Sequence, residues 1–324
     1  MTDPLDGLFV PAGTVSWRPD PRTLPARPTT RFAPAPTGDL HLGHLVNALY
    51  TWGIARATGG RVILRIEDHD RQRSRPEHER LILDDLERLG LVPDEPSLAE
   101  LRSGAPSAFR QSDDPGPYDA ALERLRAAGR LYACECSRAT WAAHEERTGR
   151  AFSGPGCPGR CRERGVAEAG DVGLRAALGA GSERWNDLLC GPVGGDPSAG
   201  GDLLVRDRLG NRTYALAVVV DDTRHGIDLV IRGRDLLDAT PAQLRLGTHL
   251  GRERPPAFLH HPLVRRGTGE KLSKAAGDVA VRSLLDEGRT PGELFGLAAR
   301  LAGLLGPGEE RPIDPDELGS LFAG

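Results

Sequence analysis

Lysine is nearly absent from this chain. Of 42 basic residues only Lys271 and Lys274 are lysine, three positions apart in "GEKLSKAAGD" (269–278). Everywhere else a positive charge is an arginine, so these two positions hold a compact ammonium on a flexible stem where the chain otherwise uses a planar fork. Such a group can follow a phosphate as its charge moves; a solvated turn outside the arginine bias is the plainer alternative. Excess positive charge is also missing. A formal net charge of −4 excludes a protein held on nucleic acid by bulk charge, while the arginines leave room for a local basic surface. No apolar run approaches the ~18 residues of a membrane span. The first 29 residues contain no basic stretch followed by an apolar core, so no secretory signal is read there. Their Pro, Asp and Thr content predicts an irregular arm. Cysteine is scarce but not scattered. Four of the five lie between positions 134 and 161, which suits a reduced, cytoplasmic compartment and a metal rather than a disulfide framework.

What is present alternates. Residues 30–33 predict a short strand stopped by Pro34 and Pro36, and Leu42, Leu45, Val46 and Leu49 follow helical spacing up to Gly59-Gly60. "RVILRI" (61–66) reads as a buried strand, and "PEHERLILDDLERLG" as a helix with Ile82, Leu86 and Leu89 on one face. Strand–helix–strand–helix order predicts an α/β fold with a doubly wound parallel sheet of Rossmann type, which binds ligands beyond the carboxyl ends of its strands. The alternation breaks at about 115. Residues 115–200 read as an insertion carrying a helix and the cysteines; strand-like runs then return as "LLVRD", "YALAVVV" and "DLVIRG". A helix capped at Thr240-Pro241, the strand "FLHHPLV", helical segments over 291–304 and a polar tail with a short helix near 314–322 follow. The divisions are thus an arm (1–29), two halves of the α/β unit (30–114 and 201–290), the insertion, and a short helical end (291–324).

Three groups of residues point to chemistry. "HLGH" (41–44) sets two imidazoles one turn apart at a helix start, where free N–H groups favour anions; Gly38 permits a tight turn and Gly43 a close approach. That suits a nucleoside triphosphate, although two surface histidines or a metal pair would share the pattern. Arg31, Glu67 and Arg232 each sit at or near a strand end on the same sheet edge. Arginine forks with a carboxylate suit a dicarboxylic amino acid; each residue alone could equally be a salt bridge. Cys134, Cys136, Cys157 and Cys161, spaced C-x-C and C-x3-C, suit a closed tetrahedral zinc site, with a redox pair as the weaker alternative and His144 as a substitute ligand. Cys190 stands apart and reads as a small buried apolar residue.

"RFAPAPTGDLHLGH", "RIEDHDRQRS", "YALAVVVDD", "VIRGRDLL" and "KLSKA", in that order from about 31 to 285, resemble the signatures of class I aminoacyl-tRNA synthetases of the glutamyl branch. The resemblance implies ATP, with Mg2+, on Pro34, Gly38, His41, Gly43, His44 and Lys274. It implies a mobile loop carrying Lys271 and Lys274, whose charge stabilises departing pyrophosphate. It implies L-glutamate on Arg31, Phe32, Ala33, Pro34, Ala35, Glu67, Tyr214 and Arg232, and it strengthens zinc on the four cysteines. The helical anticodon-binding region of a full synthetase has no counterpart in the last ~30 residues. Truncated relatives of that layout attach glutamate to the queuosine base of tRNA(Asp), so that tRNA is the expected partner of a monomer. A short glutamyl-tRNA synthetase, a small-molecule adenylate-forming ligase and a non-catalytic RNA-binding relative are the competing readings.

Overall fold

In the computed structural model, which describes residues 17–149, 157, 159–265, 279–306 and 309–323, the chain opens as the alternation predicts. Strands β1 (Thr29–Phe32) and β2 (Arg61–Leu64) pair in parallel, from Thr29↔Arg61 to Phe32↔Leu64. Helix α1 (Leu42–Thr58) joins them and ends at Gly59, whose φ of 66° is the left-handed cap that glycine accepts without strain. Helices α2 (Pro76–Arg88), α3 (Leu98–Arg102) and α4 (Gly116–Ala127) lead to β3 (Leu131–Cys134), α5 (Arg138–Thr148), α6 (Arg160–Glu163) and β4 (Gly173–Ala176). Then come β5 (Glu183–Asp187), β6 (Gly191–Gly195), β7 (Leu203–Arg206), α7 (Tyr214–Arg224), β8 (Leu229–Gly233), α8 (Thr240–His249), β9 (Ala257–His261), α9 (Val281–Asp286) and α10 (Pro291–Leu301).

β8 and β5 both pair in parallel with β9, and β6 closes an antiparallel hairpin on β5. The Asp228 N–H, just before β8, donates to the Thr29 carbonyl at 3.1 Å. That joins the two parallel groups edge to edge in the order β2, β1, β8, β9, β5, β6. A separate antiparallel sheet, β3–β4–β7, lies over α4, α7 and α8 around its own core of Tyr118, Leu122, Leu125, Leu174, Val205 and Leu246. The pairing crosses the division placed at residue 200. β5 and β6 return to the parallel sheet before that point, while β7 pairs with the insertion's β4 after it.

Two expectations need correction. "YALAVVV" is not a strand but the first two turns of α7. Leu216, Ala217, Val218, Val219 and Val220 are buried on every side, among α4, α8 and β7. An unbroken apolar run has no period to read, and complete burial outweighs the modest β preference of valine. The tail is not a polar appendage either. Residues Pro315–Leu321 form a 3-10 turn, and Ile313, Leu318, Leu321 and Phe322 are at most 2% exposed. Phe322 packs so closely on α1 that a Cβ at Gly53 would meet its ring at 2.4 Å. From the arm, Trp17 and Leu24 pack on the same core, and the Tyr50 hydroxyl donates to the Trp17 carbonyl at 2.6 Å. Among the described residues no helix is long and apolar enough to cross a membrane.

Phe322→Ala should therefore cost about 3–5 kcal/mol, the usual cost of emptying a buried phenylalanine site. Urea unfolding measures it. A loss under ~1 kcal/mol would mean that the tail is not part of the core.

Candidate active site

The carboxyl ends of β1 and β8 and the start of α1 enclose a cavity of about 440 Å³, within the usual range for a small-molecule site. Its floor is Arg31, Phe32, Ala33 and Pro34; Glu67 and Tyr214 line one side, Arg232 another, and His41, Gly43 and His44 a third. Ten of the residues singled out in the sequence thus share one space. Ala35 and Gly38 are not on its wall. Lys271 and Lys274 lie outside the described residues, though Pro262, Leu263 and Val264 before their loop line the cavity. After it, the Val281 N–H donates to the Leu40 carbonyl at 2.8 Å, beside the helix start.

"HLGH" caps its own helix. The Gly43 N–H donates to His41 Nδ1 at 3.0 Å, and the His41 N–H to His44 Nδ1 at 3.1 Å. The two rings lie 3.9 Å apart between centroids. A Cβ on Gly43 would come within 2.9 Å of His41 Cε1, so glycine is what lets the ring fold back over the first turn. The imidazoles therefore face the cavity from a helix N-terminus, where partial positive charge favours an anion. Further along α1, Asn47 Nδ2 donates to His261 Nε2 at 3.1 Å and to the Ile231 carbonyl at 3.3 Å, fastening the helix to β8 and β9.

Below the floor lies a buried lattice of charge. Asp222 Oδ1 accepts from Arg65 Nη1 at 2.7 Å and from Arg31 Nε at 3.1 Å, and Arg65 Nη2 donates to Glu67 Oε1 at 2.9 Å. Arg65 is 0% exposed. Burial disfavours its charge, but Asp222, Glu67 and Asp221 outweigh that and hold it firmly protonated. Burial likewise pushes Asp222 up, and Arg31 and Arg65 more than reverse it, so its carboxyl sits below the usual range. Asp221 continues the lattice, accepting from Gln111 at 2.7 Å, Tyr118 at 3.0 Å and Arg224 at 2.8 Å.

Arg232 differs from its neighbours. It is 4% exposed, yet among the described residues no carboxylate lies within ion-pair distance of it. Its bonds go to neutral acceptors: His260 Nε2 at 3.0 Å, Gln243 Oε1 at 2.6 Å and the Thr240 hydroxyl at 2.8 Å, while its plane lies over the Phe258 ring at 5.3 Å. Burial pulls its pKa down from the usual guanidinium value. His260 is a neutral acceptor because its other nitrogen, Nδ1, is held by Asp187 at 2.5 Å, and burial keeps the ring from protonating. Thr240, expected to cap α8, spends its hydroxyl on Arg232 instead; the cap position is Ala239, with no side-chain bond.

Comparison with known proteins fits this geometry. The family model for "tRNA synthetases class I (E and Q), catalytic domain" matches residues 28–311. The chain belongs to this class I synthetase family. It is 43% identical over 301 residues to the glutamyl-Q tRNA(Asp) synthetase of Symbiobacterium thermophilum, covering 90% of this chain and 91% of that protein. The namesake protein of Nitratidesulfovibrio vulgaris is 38% identical over 85% of this chain and 86% of its own length. Glutamate–tRNA ligase 2 of a Methylobacterium strain is 40% identical over 89% of this chain, which spans only 62% of it. Among solved structures, a glutamate–tRNA synthetase from Elizabethkingia anophelis superposes with a TM-score of 0.75 at 27% identity, covering 90% of this chain and 65% of that one.

Four of the five cysteines cluster apart from the cavity. The four sulfurs lie within 4.8 Å of one another, and Cys136 and Cys161 are 3.3 Å apart, too far for a disulfide. A tetrahedral ion with ~2.3 Å bonds to sulfur needs ligand atoms about 3.8 Å apart, so the donor set fits a closed metal site. Burial and the neighbouring sulfurs push the Cys136 thiol well up, so without a cation it stays protonated. β3 supplies Cys134, α6 supplies Cys161, and Cys157 is pinned by paired backbone bonds to Asp202 of 3.3 and 2.7 Å. The side chain of His144 lies outside the described ones. Cys190 is only half-buried, short of the burial read for it from the sequence, and burial first, with Asp187, pushes its thiol up to about 11.

Sequence reading missed Arg65, Asp222, Gln243 and the Asp187–His260 pair. "YALAVVVDD" did contain Asp222, but nothing local says that an aspartate at position 222 meets an arginine at 65.

Asp222→Asn should cost about 3–5 kcal/mol of stability, because it leaves Arg31 and Arg65 buried without their shared counter-ion. Urea unfolding of the variant against Asp171→Asn, an exposed aspartate away from the lattice, measures it. Equal midpoints would show that the lattice is not held by Asp222.

Proposed function

We propose that this chain is a cytoplasmic ligase that activates L-glutamate with ATP and transfers the glutamyl group to the queuosine base of tRNA(Asp). One observation carries the amino acid: Arg232, a buried guanidinium on the cavity wall with no carboxylate partner among the described residues. An unpaired buried charge is expensive, and a ligand carboxylate supplies what is lacking. The carboxylate that is activated must reach the α-phosphate and give up its charge. The carboxylate left over is the lasting counter-ion, so Arg232 would take that one. Glu67, with Oε1 fixed by Arg65, would hold the ammonium, and Tyr214 would close the side.

ATP, carried with its Mg2+, would lie with its phosphates over the start of α1, against His41, His44 and the backbone at Gly43. The reacting carboxylate oxygen attacks the α-phosphorus, the bond to pyrophosphate breaks, and Lys271 and Lys274 would neutralise the leaving charge, as the family resemblance implies. A hydroxyl of queuosine's cyclopentene ring then attacks the mixed anhydride and AMP leaves. The near-complete match to glutamyl-Q tRNA(Asp) synthetases in both lengths favours this acceptor. A short glutamyl-tRNA synthetase is the second reading, favoured by the 40% identity to the Methylobacterium ligase.

The metal proposed for the four thiolates is zinc in a structural role, since four sulfur ligands leave no position open for water. It would brace a flank bearing exposed Arg162 and Arg164, the latter 2.5 Å from Glu135, where an RNA backbone could exchange for the surface carboxylate.

Three outcomes are expected. Arg232→Gln should raise KM for glutamate about 10–100-fold, the loss of one charge-assisted bond of roughly 1.5–3 kcal/mol, with a smaller change in kcat; an unchanged KM would remove Arg232 from the binding site. Radiolabelled glutamate should label tRNA(Asp) that carries queuosine, and neither the same tRNA with guanine in its place nor tRNA(Glu). Labelling of tRNA(Glu) would install the second reading. Elemental analysis should find one zinc per chain in the native protein and none in a Cys157→Ala, Cys161→Ala variant; zinc retained by that variant would place the metal elsewhere.

A further inference from the structure

His69, in the "EDHD" stretch just past β2, has no part in the chemistry described so far. Its Nδ1 lies 2.7 Å from Gln111 Oε1, and Gln111 Nε2 lies 2.7 Å from Asp221 Oδ2. Gln111 and Asp221 are both buried. The proton positions follow in turn. Asp221, set between Arg224 at 2.8 Å and Arg65 at 3.8 Å, offers only acceptors, so the Gln111 NH2 group must face it. The Gln111 oxygen then faces His69, and only an Nδ1–H satisfies it. In the neutral ring that leaves Nε2 as a bare lone pair. Among the described residues nothing bonds to Nε2. Nδ1 is turned toward the buried chain, so Nε2 is turned away from it in a ring that is half-exposed. A half-exposed nitrogen can rest in water; its place is what singles this one out. Tyr214 has its ring centroid 6.5 Å from that of His69, and both Tyr214 and Glu67, two residues back, line the front cavity. His69 is not on the wall itself. It stands beside that wall, where a nucleoside too large to enter a 440 Å³ cavity whole must present its hydroxyl.

We propose that His69 Nε2 is the general base of the transfer step, receiving the proton of the acceptor hydroxyl, directly or across one water, as that hydroxyl attacks the glutamyl carbonyl. The inference rests on the proposed function, whose second step otherwise has no protein group to take this proton. With one carboxylate on Arg232 and the ammonium on Glu67, the activated carbonyl next to the ammonium lies by the wall that Glu67 and Tyr214 share. The new bond joins the acceptor oxygen to that carbonyl carbon. The bond from the carbon to the phosphate oxygen breaks, with its electron pair leaving on AMP, and the proton on Nε2 passes to water. The chain through Gln111 to Asp221 keeps the ring from turning and decides which nitrogen is bare, as the third member of a catalytic triad does for its base. Here a neutral amide stands between the carboxylate and the ring, so the ring is oriented without an ion pair. The competing base is the phosphate of the mixed anhydride itself.

The test measures the two steps separately, on the full chain and on its variants His69→Gln, which keeps a hydrogen-bonding side chain of similar reach, and His69→Ala. The first step is glutamate-dependent ATP–pyrophosphate exchange. The second is single-turnover transfer from preformed adenylate to whichever tRNA the native chain labels, at saturating concentration, so the choice of acceptor does not enter. The expected result is exchange within about twofold of native and transfer slower by about 10²-fold in both variants, with free imidazole restoring part of the rate to His69→Ala. Transfer within about twofold of native in both variants would overturn the role and leave the proton to the phosphate. Slow transfer that more tRNA restores in full would make His69 a binding contact only, and overturn it equally. So would loss of exchange in both variants, which would place His69 in the first step or in the fold. A native chain that exchanges pyrophosphate yet labels no tRNA fails the proposed function before any variant is compared, and this role with it.

Discussion

The bond pair at Asp222 Oδ1 holds the site together. It joins Arg31 of the first strand, Arg65 just past the second, and a helix that arrives more than 150 residues later. Two guanidinium groups on one carboxylate oxygen, away from water, make a junction that survives only if all three partners stay. Arg65 then reaches Glu67 and fixes its orientation, so the acidic wall of the cavity depends on the same junction. A site that must hold a small amino acid against a triphosphate gains from such stiffness, because displacements of an ångström are costly in rate.

Arg232 shows the opposite arrangement. The lattice beneath the floor matches positive with negative; among the described residues the guanidinium in the wall is matched only with neutral acceptors. Asp187 is near enough to matter but is spent on His260, and the ring between them passes on a lone pair rather than a charge. The protein thus positions Arg232 with hydrogen bonds, and on the proposed reading its charge is left for a carboxylate that enters. That division, between charges satisfied for the fold and one held in reserve, is the physical basis for reading the cavity as a carboxylate site.

The sequence showed the parts of the site that are contiguous. "HLGH" at a helix start, the paired prolines after β1, Glu67 beyond β2 and Arg232 near the end of β8 follow from strand and helix periodicity together with the rule that ligands sit at the carboxyl edge. The four cysteines were readable from spacing. What could not be read is what depends on contact between distant segments. The run at 214–220 lacks a period, so only its burial among α4, α8 and β7 makes it a helix. The tail looks polar because Asp314, Asp316 and Glu317 cluster at its start, yet Phe322 fills a place on α1 that Gly53 leaves empty. Gln243 and His260 read as an ordinary helix glutamine and strand histidine until Arg232 is seen between them.

The central claim is that the cavity is built for an amino acid with two carboxylates, one activated and one retained as the partner of Arg232. The most direct measurement is ATP–pyrophosphate exchange without RNA, comparing L-glutamate with L-glutamine, which keeps the shape and removes one carboxylate. The account predicts exchange with glutamate and at least a tenfold lower kcat/KM with glutamine. Equal exchange with the two, or none with glutamate, would contradict it.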